Sequence, residues 1–531
     1  RRYASVDALA ADLHAYLGGY PVSARPASRW YLVRKFARRN RLAVALASLA
    51  ALSLVGGLAA TRWQMHQAEL ARSAAERRFA DVRQMANQLV FRYHDQIMNL
   101  PGAVAVRQAL LDAAASYLDG LAAESAGDAA LQRELAETYY RLAVLQGETF
   151  SPSQERVQSA LRNVERATAL LAGYAGQPGL TLAALNTAID MWILRATLKA
   201  RLGDMADSTD ALQRAVQLAD LARQRAPEDL QVISRLATLQ GRIALSLGAN
   251  LTHPSLGRVD EARGHWDQAE QLFEQLVRRE PGSAEWVHQL AWSQIGQANW
   301  GLLAGRLDLA LPAALRAIEL RDRAAAMKPG DAHFAHQRAL ARNNLAGVLS
   351  ALGDHATALA RQDEAVAIID ASVEVDPSNK SAQRDGVLVR LARVRQLDGL
   401  GRRAEGLVAA RQALAALPAA APNDYYMTRW HAEALSWVAR LQRERDPAQA
   451  AAAAREAVAM LKALEGDDHA ARRWALARAT EDLTQALLAG GQQAAAVDAA
   501  REALRLWGPQ SPGYFKLMRE RAKALVEGAP G

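Results

Sequence analysis

A glycine returns at a nearly fixed interval through the middle of this sequence: Gly203, Gly257, Gly305, Gly353 and Gly401, spaced by 54, 48, 48 and 48 residues. Twenty-four residues after each of the first four stands a proline (Pro227, Pro281, Pro329, Pro377), where a helix has to stop. Twelve residues after every glycine is an alanine, Ala215, Ala269, Ala317, Ala365 and Ala413. Five residues after it is a small side chain: Ser208, Ala262, Ala310, Ala358 or Gly406. A constant period of this length means stacked supersecondary units, each burying its apolar face only against its neighbours. The chain is therefore expected to be a curved helical array with a concave surface rather than a set of separate globular cores.

A turn glycine followed by small residues at offsets five and twelve resembles the tetratricopeptide repeat. The resemblance implies an all-α fold, a right-handed solenoid of paired helices, in which these ten glycine and alanine positions let the helices pack closely. The departure is in length, because that family's period is ~34 residues. Here the Gly-to-Pro and Pro-to-Gly stretches are each longer by seven, about two helical turns. Both helices of a pair are thus longer while their register is kept. Gly491, Ala496 and Ala503 repeat the offsets near the C-terminus, and Asp446–Val458 looks like a degenerate turn and second helix. Upstream, Gly147, Ala160 and Ala167 suggest another unit with an inserted loop, ETFSPSQ. About seven or eight pairs fit between residues 131 and 525. The six extra residues of the 54-residue interval fall at Leu251–Gly257, LTHPSLG, a polar loop.

The net charge of +8 is unevenly placed. Residues 1–41 hold nine Lys/Arg against Asp7 and Asp12, leaving 55 basic and 54 acidic groups in the other 490 residues. So balanced an array argues against a nucleic-acid partner, which needs a net basic face. Between Arg41 and Arg62 lie twenty uncharged residues, 42–61, about 30 Å as a helix and so the thickness of a bilayer core. Seven Lys/Arg precede this segment from Arg25, whereas the four that follow it closely (Arg62, Arg72, Arg77, Arg78) are offset by Glu69, Glu76 and Asp81. The positive-inside rule then places the N-terminus in the cytoplasm, with Trp63 as an anchor at the far interface. A buried soluble helix and a signal peptide fit less well, the latter because its basic region would be 41 residues long. Ser53 with Gly57, and Gly56 with Ala60, form small-xxx-small pairs of the kind that bring two spans together, so a homodimer is a possible partner state.

The first 26 residues carry a second resemblance. A helix is expected from Val6, capped by Ser5, with Leu9, Leu13, Tyr16 and Leu17 on one face and an end at Gly18-Gly19. Its wording, Arg2-Tyr3-Ala4-Ser5, then Leu9 to Leu13 around Asp12, then Pro21 to Pro26, resembles the last helix and exit of the catalytic domain in bacterial membrane-bound serine/threonine protein kinases. Arg77–Gly102 is similar to the juxtamembrane linker of such kinases that carry tetratricopeptide repeats. The resemblance implies a kinase remnant (residues 1–24), a basic juxtamembrane segment (25–41), a span (42–61), a helical linker (62–130) and a repeat domain (131–525). It also implies a fragment of a longer protein in the cytoplasmic membrane, with its repeat domain in the periplasm. No Gly-rich phosphate loop, strand lysine, His-Arg-Asp loop or Asp-Phe-Gly motif occurs, so no kinase activity, catalytic residue or cofactor is expected of this chain.

Other chemistry is sparse. There is no cysteine, hence no disulfide or thiolate site. His333 and His336 are spaced to share a metal on a helix, but no further ligand completes it, and the expectation is Asp331 as a helix cap with two surface histidines. His94-Asp95 has no accompanying nucleophile and reads as the polar face of the linker. Trp286, Trp292 and Trp300 crowd one helix, as core or as a ligand-facing patch; the Tyr139-Tyr140 and Tyr425-Tyr426 pairs weigh no more than that. The function expected is a non-catalytic, membrane-anchored interaction region whose solenoid binds a protein or peptide and regulates a kinase domain. The alternatives are a membrane-anchored transcriptional activator and an envelope scaffold.

Overall fold

The structure, a computed structural model, describes residues 3–25, 28–87, 104–124, 129–147, 154–172, 181–248, 250–251, 253–375, 377, 380–417, 425–464, 469–508 and 512–528. They are helical with no strand, and they divide into two compact units, Arg1–Tyr93 and His94–Gly531. His94-Asp95, the inserted loop before Gln154 and residues 88–103 and 125–128 of the linker lie outside the described residues.

The first unit holds α1 (Val6–Leu17), α2 (Arg29–Arg39) and α3 (Arg41–Asn87). The Ser5 hydroxyl accepts the Ala8 N–H at 3.2 Å and starts α1. Asp12 explains why the kinase-like wording joins a helix core to an exit segment. Its two carboxylate oxygens accept the backbone N–H groups of Ser23 and Ala24 at 2.7 and 2.9 Å, which clamps the chain back onto α1. The hydrogen bond from Ser23, aided by that from Ala24, holds this carboxyl below the usual range against the opposing effect of burial. Three cation–π contacts tie α2 to the same region: Arg25 over Tyr31, Lys35 over Tyr16 and Arg39 over Tyr20, at 5.1, 4.8 and 4.1 Å. Leu9, Leu13, Tyr16 and Leu17 are all left exposed. Within α3, Arg41–Leu70 is the one stretch among the described residues long and apolar enough to cross a membrane, and none of its apolar window is covered by protein. Gly56 and Gly57 have open space beside them.

The second unit begins with α4 (Val104–Glu124), which packs on α5 (Ala129–Gly147). Helix pairs follow: α5 with α6 (Gln154–Ala172), α7 (Leu182–Arg201) with α8 (Met205–Arg225), α9 (Leu230–Leu247) with α10 (Val259–Arg279), and α11 (Ala284–Ala304) with α12 (Leu307–Met327). Next come α13 (Ala332–Ala351) with α14 (His355–Val375), α15 (Lys380–Gly399) with α16 (Arg403–Ala416), α17 (Tyr425–Gln442) with α18 (Pro447–Lys462), and α19 (Ala470–Ala489) with α20 (Gln493–Trp507). The 3₁₀ turn Gly513–Phe515 and α21 (Lys516–Glu527) finish the unit. Each helix packs on the next, so the array is an α-solenoid of tetratricopeptide-like helix pairs.

The periodic residues sit where the pairs turn and touch. Gly203, Gly257, Gly305, Gly353 and Gly401 have φ between +73° and +87°, a left-handed conformation that costs other residues about 1–2 kcal/mol. Ala215, Ala269, Ala317 and Ala365 are fully buried and Ala413 nearly so. The offset-five residues mark the closest approach within a pair: a β-carbon on Gly301 would lie 3.0 Å from that of Ala310, and the Ser208 hydroxyl donates to the Ala196 carbonyl at 2.9 Å. The helices α8, α10, α12 and α14 each have 21 residues, the extra length expected from the period.

The array also touches itself across distant pairs. The loop at Leu251–Gly257 is not a free polar connection: Ser255 is fully buried, and its carbonyl accepts the Ala470 N–H at 3.0 Å at the start of α19. A β-carbon on Gly257 would lie 2.9 Å from that of Ala470. Gly513 approaches Gly305 from the other end. One continuous core accordingly joins Trp266, Phe273 and Trp300 to Trp474, Trp507 and Phe515.

Candidate functional site: an arginine-rich inner face

The first helices of several pairs turn charged side chains toward one another. On α17, Arg429, Glu433, Ser436 and Arg440 follow at helical spacing along a helix whose other positions are largely buried, including Trp430 and Trp437. Glu433 is met by three guanidinium groups from three helices: Arg429 at 3.6 Å, Arg395 of α15 at 3.7 Å and Arg478 of α19 at 3.7 Å. Arg440 donates to Asp482 of α19 at 2.8 Å. Apart from Asp482, which keeps 3%, these charged side chains keep 11–26% of their surface, so part of the face is reached by water. Burial alone would raise the Glu433 carboxyl, but Arg478, Arg429, Arg395 and Arg440 together hold it below its ordinary range. Arg395 foremost, with Arg478 and Arg440, lowers the phenol of Tyr514 against burial and Glu433.

A second part of the face is less balanced. Tyr426 lies within the electrostatic reach of Arg201, Arg429, Arg384 and Arg242, drawn from α7, α17, α15 and α9. His253, on the docked loop, packs edge-on to Tyr426 with ring centroids 6.2 Å apart. Its ring keeps solvent contact and yet is enclosed by protein; that enclosure, with the charges of Arg242, Arg201 and Arg429, pushes the imidazole down to about 4. Arg201 donates to the Gly147 carbonyl at 3.0 Å, and neither it nor Arg242 has a carboxylate partner among the described residues. Among the described residues, Nε of Arg242, and Nε and Nη1 of Arg429, are buried away from solvent without hydrogen-bond partners.

The tryptophans beside these arginines are already covered. Arg440 and Arg478 stand over Trp437 at 4.7 and 5.7 Å, Arg384 over Trp430 at 5.9 Å, and Arg242 over Trp292 at 5.8 Å. Trp286 and Trp300 are core residues, whose indole N–H groups donate to Glu280 at 2.7 Å and to the Val259 carbonyl at 2.9 Å. Tyr139 is buried and donates to Asp119 at 2.6 Å. The ten repeat-packing positions lie at turns and between helices and do not converge on a ligand site.

The histidine pair departs from expectation at one member. Asp331 caps α13 by accepting the His333 N–H at 2.9 Å, and His333 is exposed. His336, however, is buried and hydrogen-bonded to Asp385 at 2.8 Å across to α15, so it is a structural contact rather than a surface residue. No group of three potential metal ligands occurs among the described residues. Arg321 is buried next to His288, with burial lowering the guanidinium to about 10 and burial, then Arg321, lowering His288 to about 3.

Glu481 gives a pH signature. It is buried on α19, with one oxygen accepting from Gln485 at 3.0 Å and the other unpartnered, and burial pushes its carboxyl up to about 7. Between pH 4.5 and 7 the folded state then holds a proton that the unfolded state lacks, so stability falls as pH rises through that window. Glu481→Gln is expected to remove this fall and to raise stability above pH 7 by about 1–3 kcal/mol. Urea denaturation at pH 5 and pH 8 checks it; an unchanged difference between the two pH values would exclude the assignment.

No family model matches the chain, and no curated protein matches it. The fold defines a class, a helical-repeat array of tetratricopeptide-like pairs. Solved structures similar to it include a Rap protein complexed with competence and sporulation factor, 14% identical over 75% of this chain and 99% of that one, with a TM-score of 0.43. A tetratricopeptide repeat protein from Parabacteroides merdae is 12% identical over 64% and 99% of the two chains, with a TM-score of 0.33. Yeast Tom70 is 13% identical over 83% and 95%, with a TM-score of 0.27. The likeness is one of fold alone.

Proposed function

We propose that this chain is the non-catalytic, membrane-anchored sensory region of a receptor-type bacterial serine/threonine protein kinase, whose helical array docks a protein or peptide and regulates the kinase domain of the parent protein. The observation that carries the docking function is the inner face itself: charged side chains of α15, α17 and α19 converge around Glu433, and Arg429 and Arg478 each keep a buried nitrogen without a hydrogen-bond partner among the described residues. A purely structural array would bury apolar side chains there, because unpaired buried charge is costly. Three features support the rest: the kinase-like wording of residues 2–26, the uncovered apolar window of α3, and the exposed apolar face of α1, which suits a helix that packs on further protein. In this scheme the N-terminus is cytoplasmic and the array periplasmic, and docking alters span pairing or juxtamembrane orientation. Alkaline phosphatase fused after Gly531 is expected to be active and β-galactosidase fused there inactive. The reverse pattern would overturn the external sensor.

A further inference from the structure

The short helix α2 meets different surroundings on its two sides. On one side Tyr31, Lys35 and Arg39 follow one helical turn apart and face α1 and its exit: the Tyr31 hydroxyl accepts the Val22 N–H at 3.4 Å, Lys35 stands over Tyr16 and Arg39 over Tyr20. The helical period turns Trp30, Val33 and Phe36 away from that contact, and they keep 78, 57 and 55% of their surface. Arg34 and Arg38 border this stripe and are exposed. So much open apolar surface on one short helix marks an interaction face.

Three observations select what covers it. At 11 residues α2 is about 16 Å long, half the thickness of a bilayer core, so it does not cross one. It ends at Asn40, whose φ of −110° and ψ of 46° leave helical geometry, and the apolar window of α3 opens at the next residue, Arg41. A helix joined so closely to a span starts at the membrane surface, and the break at Asn40 releases it from the direction of the span. From Arg25 to Arg41 there are seven Lys/Arg and no Asp/Glu, so a second copy of this segment is repelled whereas anionic headgroups are attracted.

We propose that α2 lies in the plane of an anionic bilayer surface, with Trp30, Val33 and Phe36 inserted at the ends of the acyl chains and Arg34 and Arg38 on phospholipid headgroups. Lys35 and Arg39 stay on their tyrosines and so hold α1 over the same surface. This rests on the membrane anchoring proposed above and adds to it a second contact that is selective for lipid charge.

The test exploits the lack of cysteine, which lets a single nitroxide be placed without background labelling. Val33→Cys, Phe36→Cys, Arg38→Cys and Leu52→Cys are made one at a time in the full chain, all at exposed positions, and reconstituted into vesicles of equal parts phosphatidylglycerol and phosphatidylcholine. Depth is read from the relative access of oxygen and a water-soluble nickel chelate to each label. Labels at Val33 and Phe36 are expected about 5–10 Å inside the headgroup boundary, with Arg38 in water and Leu52 near the bilayer centre. In pure phosphatidylcholine, or with Arg34→Gln and Arg38→Gln added, the Phe36 label is expected to move outward. Deep Leu52 with Val33 and Phe36 in water would overturn the surface helix and leave the anchor standing; Leu52 in water would overturn both. Labels at Val33 and Phe36 shielded from oxygen and nickel alike would assign the stripe to a protein partner instead, a second copy if spin–spin broadening accompanies the shielding. Equal depth in the two lipid compositions would overturn the recognition of headgroup charge.

Discussion

Trp266→Ala is expected to cost the array about 3–5 kcal/mol of stability, the range for truncating a large aromatic in a packed core. Trp266 is 1% exposed on α10 and stands edge-to-face with Trp292 at 5.1 Å. Its ring fits only because Gly296 on α11 and Gly241 on α9 carry no side chain: a β-carbon on Gly296 would overlap the indole, and one on Gly241 would overlap Trp292 and sit 3.0 Å from Trp266. The two glycines and the tryptophan are thus one packing unit spanning three helices. The indole N–H has no acceptor among the described residues, so Trp266→Phe, which keeps the ring and discards the orphaned donor, is expected to cost far less than alanine. Gly296→Ala is expected to destabilise by about 1–3 kcal/mol through overpacking, and less in a Trp266→Leu background. Denaturation of these variants, of Trp266→Leu alone and of the wild type checks this; additive losses for Gly296 and Trp266 would show that the two do not share a space.

The second large effect is at the self-contact. Gly257→Ala is expected to cost about 2–5 kcal/mol, and Gly353→Ala only about 1–2. Both glycines are left-handed, at φ +78° and +87°, so the backbone strain added by a β-carbon is similar. They differ in what the new atom meets: open space at Gly353, but Ala470 at 2.9 Å at Gly257. The difference between the two losses therefore reports the contact between the docked loop and α19. Ala470→Gly introduced beside Gly257→Ala is expected to restore part of that difference, and thermal unfolding of the three variants decides it. Equal losses at both glycines would mean that the contact contributes nothing to stability.

The fold was legible because its requirements are local. A left-handed turn selects glycine, a close helix crossing selects alanine, and a helix end tolerates proline, so each residue type marks its own place in the period. The self-contact was not legible, because Leu251–Gly257 and His469–Trp474 show no mutual pattern and reveal their pairing only once the curvature of the array is known. The inner face was hidden for a related reason. The array's near-neutral total averages over residues that end up apart, whereas Arg395, Arg429 and Arg478 matter only through being brought together around Glu433. A local signal did exist: Arg429, Glu433 and Arg440 form one polar stripe on a helix otherwise rich in Tyr, Trp, Leu and Val. Charges at core-facing spacing on an aromatic-rich helix are what sequence inspection should weigh. The repeated aromatic crowding at Trp286, Trp292 and Trp300 drew attention to the better-packed helix instead.

Repeat arrays ordinarily change length over evolutionary time by gaining or losing whole units, since each unit touches only its neighbours. The hydrogen bond from Ala470 to Ser255, and the approach of Gly513 to Gly305, remove that freedom here. Inserting or deleting one 48-residue unit between α10 and α19 would carry the start of α19 past the docked loop and leave Ser255, Trp474 and Phe515 facing the wrong neighbours. The number of units is therefore fixed by geometry, and variation in related chains would have to enter at the two ends of the array or in the turns that face outward.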